Sequence, residues 1–231
     1  MPETKSAEPT PVVLAVDIGG SHLKIRRSID TEEQRVVSGP DMTAADAVSK
    51  LADLTKDLPY DVVTIGYPGP VVHNRILSEP HNLGPGWVGF DFATALSKPL
   101  RIVNDALMQA VGSYDGGRML FLGLGTGLGA AMIVDNIAQP MELGHLPYKK
   151  GRSFEDYLGE AGLKKRGKKR WRRHVLDAVE RLRAATEPDY IVIGGGNVAF
   201  LTTLPPGTRR GDNANAFAGG FRLWQDPSIR A

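Results

Sequence analysis

The 231-residue sequence contains no cysteine. Without a thiol, the chain has no disulfide framework, no cysteine-ligated zinc or iron–sulfur centre and no cysteine nucleophile. A chain of this length buries about 70% of the surface that its unfolded form exposes, so its core needs no such cross-link. We therefore expect a globular protein with one large domain or two small lobes.

Long apolar runs are also missing. No segment approaches the ~20 consecutive apolar residues that a membrane-spanning helix needs. The first eleven residues, MPETKSAEPTP, have no apolar stretch and are unlike a signal or transit peptide. We interpret residues 1–11 as a disordered leader and expect a cytoplasmic protein with no membrane partner.

Charge is balanced along most of the chain, with one concentrated exception. The net charge of +2 includes eight cations within ten residues, and without them 20 basic residues face 26 acidic ones, a net of −6. We call this segment, residues 164–173, the cationic run; its cations are Lys164, Lys165, Arg166, Lys168, Lys169, Arg170, Arg172 and Arg173. It is either a solvated helix face or a surface that docks polyphosphate. Nucleic acid is disfavoured as a partner, because Trp171 is the only aromatic residue among the cations.

The spacing of apolar residues predicts alternating strands and helices. We predict strands over 12–18, 21–29, 35–38, 61–67, 100–103 and 190–193, and a strand–turn–strand over 119–134. We predict helices over 43–58, 87–97, 155–163 and 168–185, and one that starts at Ala106. The pattern indicates an α/β fold of two related lobes, residues 12–104 and 105–231, with a cleft between them.

Three apolar strands are each followed by a glycine-rich turn: DIGGS at 17–21, GLGTGLG at 123–129 and GGGN at 194–197. Glycine permits positive φ and close backbone approach, so that consecutive N–H groups can converge on an anion. The common nucleotide-binding motif GxxxxGK[ST] is absent. Three such turns together predict an enzyme that handles phosphate groups.

The turns belong to an ordered set of motifs that resembles the ROK family (repressor, open reading frame, kinase) of sugar kinases, within it the polyphosphate-glucokinase branch. The motifs lie within residues 12–220 and are Asp17-Ile18-Gly19-Gly20-Ser21, Tyr67-Pro68-Gly69, His81-Asn82-Leu83, Asn104-Asp105-Ala106, Gly125-Thr126-Gly127, Glu142-Leu143-Gly144-His145, Glu155-Asp156-Tyr157 and Gly194-Gly195-Gly196. The resemblance implies the two-lobed actin-like, ribonuclease-H-like fold, with phosphate turns of both lobes facing an interlobe cleft.

The resemblance also implies a reaction: phosphorylation of glucose or a related hexose at the 6-hydroxyl, with polyphosphate or ATP as donor and Mg²⁺ as cofactor. Asp105 would be the general base that accepts the hydroxyl proton. The sugar-binding residues would be Asn82, Asn104, Glu142, His145 and Glu155. The phosphate-binding residues would be Asp17, Gly19, Gly20, Ser21, Lys24, Gly125, Thr126, Gly127, Gly194, Gly195 and Gly196.

Asp17 would also orient Mg²⁺ or its waters. Polyphosphate would dock on the cationic run, at Lys164, Lys165, Lys168, Lys169, Arg170, Arg172 and Arg173. We expect a homodimer with no nucleic-acid partner.

Two features depart from the family pattern. Family members often carry a cysteine-rich zinc loop between His145 and Glu155, whereas here only residues 146–154 separate them and no cysteine is present. We therefore predict no structural zinc. Leu223-Trp224 lies close to the C-terminus, which shortens the region around a nucleotide base and leaves polyphosphate and ATP open as donors.

The alternative to a kinase is a non-catalytic sugar-binding or regulatory protein of the same family. Repressors in the family carry an N-terminal helix-turn-helix, and the eleven residues before the first strand leave no room for one. The sequence therefore favours the enzyme.

Overall fold

The computed structural model describes residues 9–231, so most of the predicted leader lies outside the described residues. The strands in chain order are β1 (Val13–Ile18), β2 (His22–Arg27), β3 (Gln34–Val37), β4 (Val62–Tyr67), β5 (Val71–Val72), β6 (Arg75–Ile76), β7 (Leu100–Asn104), β8 (Arg118–Leu124), β9 (Leu128–Val134), β10 (Ile137–Met141), β11 (Pro147–Lys149), β12 (Arg152–Ser153), β13 (Tyr190–Gly194) and β14 (Thr208–Arg210). The helices are α1 (Ala44–Thr55), α2 (Phe92–Leu96), α3 (Asp105–Ser113), α4 (Glu155–Leu158), α5 (Glu160–Thr186) and α6 (Asn215–Gln225), with 3₁₀ turns at Leu143–His145 and Gly196–Phe200.

Two large sheets repeat one strand arrangement. The first has the order β3-β2-β1-β4-β7 and the second the order β10-β9-β8-β13-β14. In each, the three strands that come first in the chain pair antiparallel, and the later two join in parallel. The repeat confirms the prediction of two related α/β lobes.

Helix α1 covers one face of the first sheet and α5 covers one face of the second. The capping box of Thr43 and Asp46 starts α1, which buries Ala44, Ala47 and Leu51. Helix α5 buries Trp171, Val175, Val179 and Leu182. The indole nitrogen of Trp171 donates to the carbonyl of Leu158 at 2.8 Å, so this large side chain is buried with its polar atom satisfied.

Helices α3 and α6 lie side by side and join the two sheets. Helix α3 contacts strands of both sheets, and α6 packs on β1 and β4. Thr64 of β4 donates its hydroxyl to the carbonyl of Gly220 at 2.8 Å, and Trp224 donates its indole N–H to that hydroxyl at 2.9 Å. The lobe boundary between residues 104 and 105 remains a prediction. Helix α6, which follows this boundary in the chain, packs on the first sheet, whose strands precede it.

The two helices meet backbone to backbone. A Cβ atom added at Gly219 would overlap the carbonyl oxygen of Met108, and one added at Gly112 would overlap that of Asn215. Glycine at these two positions therefore sets the distance between α3 and α6.

The predicted helix over 87–97 is wrong at its start, because only Phe92–Leu96 is helical. The Glu79 carboxylate accepts from the backbone N–H groups of Trp87 at 3.0 Å and Val88 at 3.2 Å, and Gly89 has φ +76°. These bonds hold 87–90 in an irregular conformation, and Asp91 then caps the short helix.

Helix α6 and six strands were not predicted: β5, β6, β10, β11, β12 and β14. In the part of the chain that the structure describes, no helix is both long enough and apolar enough to cross a bilayer.

Candidate active site

The carboxyl ends of β1, β4 and β7 meet at one edge of the first sheet. The parallel register aligns Asp17 with Gly66, and Tyr67 with Asn104. Asp105 follows directly as the first residue of α3. Open α/β sheets bind ligands outside the carboxyl ends of their strands, so this edge is the place where a substrate is expected.

Asn104 fixes the start of α3. Its side-chain oxygen accepts from the N–H groups of Ala106 at 3.0 Å and Leu107 at 3.2 Å, and its amide group donates to the carbonyl of Gly69 at 3.0 Å. The residue is 9% exposed. Asn104 therefore orients Asp105, and one amide hydrogen remains for the predicted contact with a sugar.

Asp105 lies where both sheets approach α3. A Cβ atom at Gly66 of β4 would overlap the Met108 methyl group and lie 3.6 Å from the Asp105 Cα. A Cβ atom at Gly129 of β9 would lie 2.8 Å from that of Ala106. Because both strands have glycine here, the first turn of α3 fits between the two lobes.

Burial raises the pKa of Asp105 to about 7, and the charges of Asp17 and Glu142 raise it as well. Burial also raises the pKa of Asp17, against the opposing effect of Lys24, which faces Asp17 across the β1–β2 register. A carboxyl group whose pKa lies near neutral pH is suited to accept a proton during catalysis.

The first glycine turn lies against Asn82. The Gly19 N–H donates to the carbonyl of His22 at 3.0 Å, which closes the turn. A Cβ atom at Gly20 would lie 2.9 Å from the Asn82 Cβ. Ser21 and Asn82 are both exposed beside it, so a predicted phosphate turn and a predicted sugar-binding residue are neighbours.

The second and third glycine turns are joined to each other. Asn197 donates its side-chain amide to the carbonyl of Gly125 at 3.0 Å, and a Cβ atom at Gly195 would overlap the Leu124 carbonyl. Gly195 has φ +79°, a conformation that favours glycine. The structure thus brings the turns at 125–127 and 194–196 together.

Glu155 lies against the second turn. Its Oε2 accepts from the Leu128 N–H at 3.0 Å, and a Cβ atom at Gly127 would overlap the carboxylate. Gly144, between Glu142 and His145, is also adjacent, since a Cβ atom there would lie 3.4 Å from Glu155 Oε2. Glu142 and His145 are exposed, with Oε2 and Nδ1 3.7 Å apart. Three predicted sugar-binding residues therefore surround one turn.

The Asp17 carboxylate fits Mg²⁺. Its charge contributes to the raised pKa of Asp105, so a cation held by Asp17 would lie near Asp105. Mg²⁺ takes one or two carboxylates together with substrate phosphates and water, so it needs no larger cluster. Residues 9–231 contain no group of three or more His, Asp or Glu side chains placed to hold a metal.

Sequence reasoning gave no role in the site to Gly66, Gly129, Gly144 or Asn197. Gly66, Gly129 and Gly144 each stand where another side chain or backbone approaches closely. Gly66 has only the signal of a glycine inside a strand, whereas Gly129 belongs to the second glycine turn and Gly144 to the motif at 142–145. Asn197 is the last residue of the third glycine turn, and that position was the available signal.

The cationic run begins near the second turn and extends past the third. The backbone N–H of Glu160, the first residue of α5, donates to the Thr126 carbonyl at 3.1 Å. Arg172 donates to the carbonyl of Phe200 at 2.5 Å, and the Lys168 ammonium lies 4.1 Å from the Phe200 ring centroid. Lys164 pairs with Glu160 at 2.6 Å. Four cations of the run are exposed without such contacts: Lys165, Lys169, Arg170 and Arg173.

Two lobes of one strand order, joined at the half-buried Asp105 and bearing three glycine turns, define a class of two-lobed α/β proteins. A sequence profile described as the ROK family matches residues 13–162, and the chain belongs to that family. The chain matches no curated protein.

Solved structures share the fold over more than nine-tenths of the chain. The inorganic polyphosphate/ATP-glucomannokinase from Arthrobacter sp. strain KM is 22% identical, with a TM-score of 0.79 over 93% of this chain and 98% of its own. A ROK family glucokinase from Streptomyces griseus is 17% identical, with a TM-score of 0.68 over 92% and 99%. A ROK family transcriptional regulator, a homologue of E. coli MLC, is 15% identical, with a TM-score of 0.72 over 94% and 78%. These similarities confirm the two-lobed actin-like fold.

Proposed function

We propose that the protein is a sugar kinase that transfers a phosphoryl group from polyphosphate or ATP to the 6-hydroxyl of glucose or a related hexose. The observation that carries the proposal is Asp105, a carboxyl group with a pKa of about 7 at the junction of the two lobes. The shared fold with a polyphosphate/ATP-glucomannokinase and a glucokinase supports it.

In the proposed reaction the sugar oxygen attacks the terminal phosphorus, and the bond to the bridging oxygen of the donor breaks. Asp105 accepts the hydroxyl proton, and the shortened donor leaves with the bonding electrons. Asn82, Glu142, His145 and Glu155 hold the other hydroxyls, and the remaining amide hydrogen of Asn104 adds one donor.

The three glycine turns, with Ser21, Thr126 and Lys24, hold the phosphates through N–H, hydroxyl and ammonium donors. Asp17 would hold Mg²⁺, which supplies positive charge against the transferred phosphate.

We propose polyphosphate as a donor that docks on the cationic run. Two observations support this. The buried apolar face of α5 fixes the run on the protein, and the contacts with Phe200 place it beside the segment that follows the third glycine turn. A chain of phosphates could then extend from the turns along the exposed cations.

Asp105→Asn tests the general base. The substitution keeps an oxygen for the Ala106 N–H, which donates to Asp105 at 2.7 Å, but removes the proton acceptor. We expect glucose 6-phosphate formation to fall by about 10²–10⁴-fold while calorimetry still shows sugar binding. Asp135→Asn, an exposed carboxyl group in the β9–β10 turn, is the matched control. Full turnover in Asp105→Asn would remove Asp105 from this role.

A sugar-binding regulator is the second candidate, because the chain also shares its fold with a ROK family transcriptional regulator. Stoichiometric sugar binding without product formation from either donor would favour it. The homodimer and the cytoplasmic location remain predictions, and sedimentation of the purified protein would test the first.

A further inference from the structure

Hairpin β11–β12 connects two groups of predicted sugar-binding residues. It starts two residues after His145 and ends two residues before Glu155. In the described part of the chain its two strands pair only with each other. Lys150 and Gly151 form its tight turn with φ of +53° and +67°, and the Phe154 N–H donates to the Leu146 carbonyl at 3.0 Å at its base. An isolated two-stranded hairpin is marginally stable, so its position depends on what it contacts.

Polar contacts attach this hairpin to α5. The Tyr148 hydroxyl donates to Asp177 Oδ2 at 2.6 Å and lies 3.1 Å from His174 Nδ1. Lys149 at 3.2 Å and Arg181 at 2.9 Å donate to the same Asp177 oxygen. Burial opposes ionisation of Asp177, but these hydrogen bonds lower its pKa to about 2, so the acceptor is a carboxylate at neutral pH. Hydrogen bonds to a carboxylate are stronger than those between neutral groups.

The Tyr148 ring also contacts the residues around Glu155. It stacks on Phe154 with centroids 4.8 Å apart and meets Tyr157 edge-on at 4.9 Å. Phe154 and Tyr157 are both buried and flank Glu155 in the chain. The Tyr148 ring therefore packs on residues that lie on both sides of Glu155 in the chain.

We propose that Tyr148 and Asp177 are positioning residues that clamp the β11–β12 hairpin to α5 and thereby hold Glu155, Glu142 and His145 in the arrangement that binds the sugar. The inference rests on the proposed function for the identity of the ligand. The clamp itself consists of contacts outside the predicted site.

The clamp should act on sugar binding and leave the fold intact. Helix α5 is attached to its sheet by Trp171, Val175, Val179 and Leu182, none of which needs the Tyr148 hydroxyl. The donor turns at 125–127 and 194–196 are joined by the separate Asn197–Gly125 bond. Loss of the clamp therefore loosens one wall of the sugar site.

The test compares Tyr148→Phe, which keeps the stacked ring, with Asp177→Ala and the double variant. We expect each single change to raise the sugar KM about 3- to 10-fold, with kcat and the donor KM within about twofold of the wild type. The double variant should resemble Asp177→Ala, because that change already breaks the Tyr148–Asp177 bond together with the bonds from Lys149 and Arg181. Tyr190→Phe is the matched control, since it removes a hydroxyl that accepts from the Asp115 N–H at 2.9 Å elsewhere in the lobe.

Calorimetric sugar binding without donor and hydrogen exchange of residues 146–158 provide readouts that do not need turnover. Weaker binding and faster exchange in Tyr148→Phe, with no change in Tyr190→Phe, would support the clamp. An unchanged sugar affinity in Tyr148→Phe and Asp177→Ala would overturn it. A wild type that binds sugar without turnover would contradict the proposed function instead, and these two readouts would still decide the clamp.

Discussion

At the scale of single residues, Asp105 combines a well-defined backbone position with a raised pKa. The Asn104 cap sets its backbone, and the glycines at 66 and 129 let both sheets approach it. Burial and the Asp17 charge make its ionised form costly. The same residue is thus a source of reactivity and a cost to folding.

The raised pKa of Asp105 gives a pH prediction for activity. Because the base must be ionised, kcat/KM should rise about tenfold per pH unit below the pKa of about 7 and level off above it. Asp17 also has a raised pKa, so the profile reports the coupled pair. A rate that stays flat from pH 5.5 to 8 would contradict the assignment.

The stability of the folded protein should fall with rising pH, in contrast to the activity. The folded-state pKa of Asp105 lies above its ordinary value of 3.8, so the folded protein binds the extra proton. Its contribution to stability should be lost as pH rises from about 4 to about 7. The melting temperature of Asp105→Asn relative to wild type should rise over the same range. An equal difference at pH 4.5 and pH 8 is the result that rejects this linkage.

Sequence alone could indicate the candidate residues but could not show which of their polar groups remain available to bind a ligand. The glycine turns each follow an apolar strand, and that local signal indicated them, whereas the roles of Asp17 and Asp105 came from the resemblance to the ROK family and remain predictions. The use of the Asn104 amide as a helix cap became visible only with the backbone of α3. The closeness of Gly66 and Gly129 to α3 depends on packing between lobes, which no local pattern records.

At the scale of elements, α5 is divided at Gly167. This residue has φ +71° and ψ 157° inside the helix, a conformation that belongs almost only to glycine. The prediction of separate helical segments at 155–163 and 168–185 located this break, although helical structure continues closer to Gly167 on its N-terminal side. The cationic run therefore bends where its lysines are densest.

Neutralising the lysines of the run tests polyphosphate docking. In the variant with Lys164, Lys165, Lys168 and Lys169 each changed to Gln, the KM for long polyphosphate should rise severalfold. The sugar KM should not change, and short donors should be affected less. Binding of a polyanion releases counterions. The KM for long polyphosphate should therefore depend less steeply on salt concentration in the variant than in the wild type.

The matched control changes Lys50, Lys56, Arg75 and Lys98 to Gln, which removes the same charge from the first lobe. If both quadruple variants use long polyphosphate equally across a salt series, the run is a solvated helix face.

The errors in the predicted helices share a physical origin: contacts with residues outside the segment override its local sequence pattern. Helix α6, with the sequence NAFAGGFRLWQ, has two glycines at its centre and so has a weak intrinsic helix preference. Those glycines are explained by its close packing on α3 and β1. The segment 87–90 has no helix because the distant Glu79 side chain binds its N–H groups.

At the scale of the whole molecule, α3 and α6 connect two sheets of the same design. The contact between the helices is close because of Gly112 and Gly219. We expect Gly219→Ala to lower the free energy of unfolding by about 1–3 kcal/mol, because the added methyl group must push α6 away from Met108. Each kcal/mol should lower the melting temperature by about 2–4 °C.

Gly196→Ala is the control for this change, because an added Cβ there has nothing within 4 Å. Gly112→Ala should destabilise the protein as well, and the double variant should be less destabilised than the two single effects suggest. Equal stability of Gly219→Ala and Gly196→Ala would show that the helices can separate freely.

The position of α6 also has a consequence for synthesis on the ribosome. Thr64 and Gly220, which are hydrogen-bonded in the folded protein, are 156 residues apart in the chain. At about 5–20 residues per second, the ribosome adds Gly220 roughly 10–30 s after Thr64. Throughout that interval the face of the first sheet that holds Ala15 and Thr64 lacks α6, and α3 is the helix available to pack against β4. We therefore expect the nascent first lobe to keep apolar surface exposed until α6 emerges, so that the second half of the chain completes its folding.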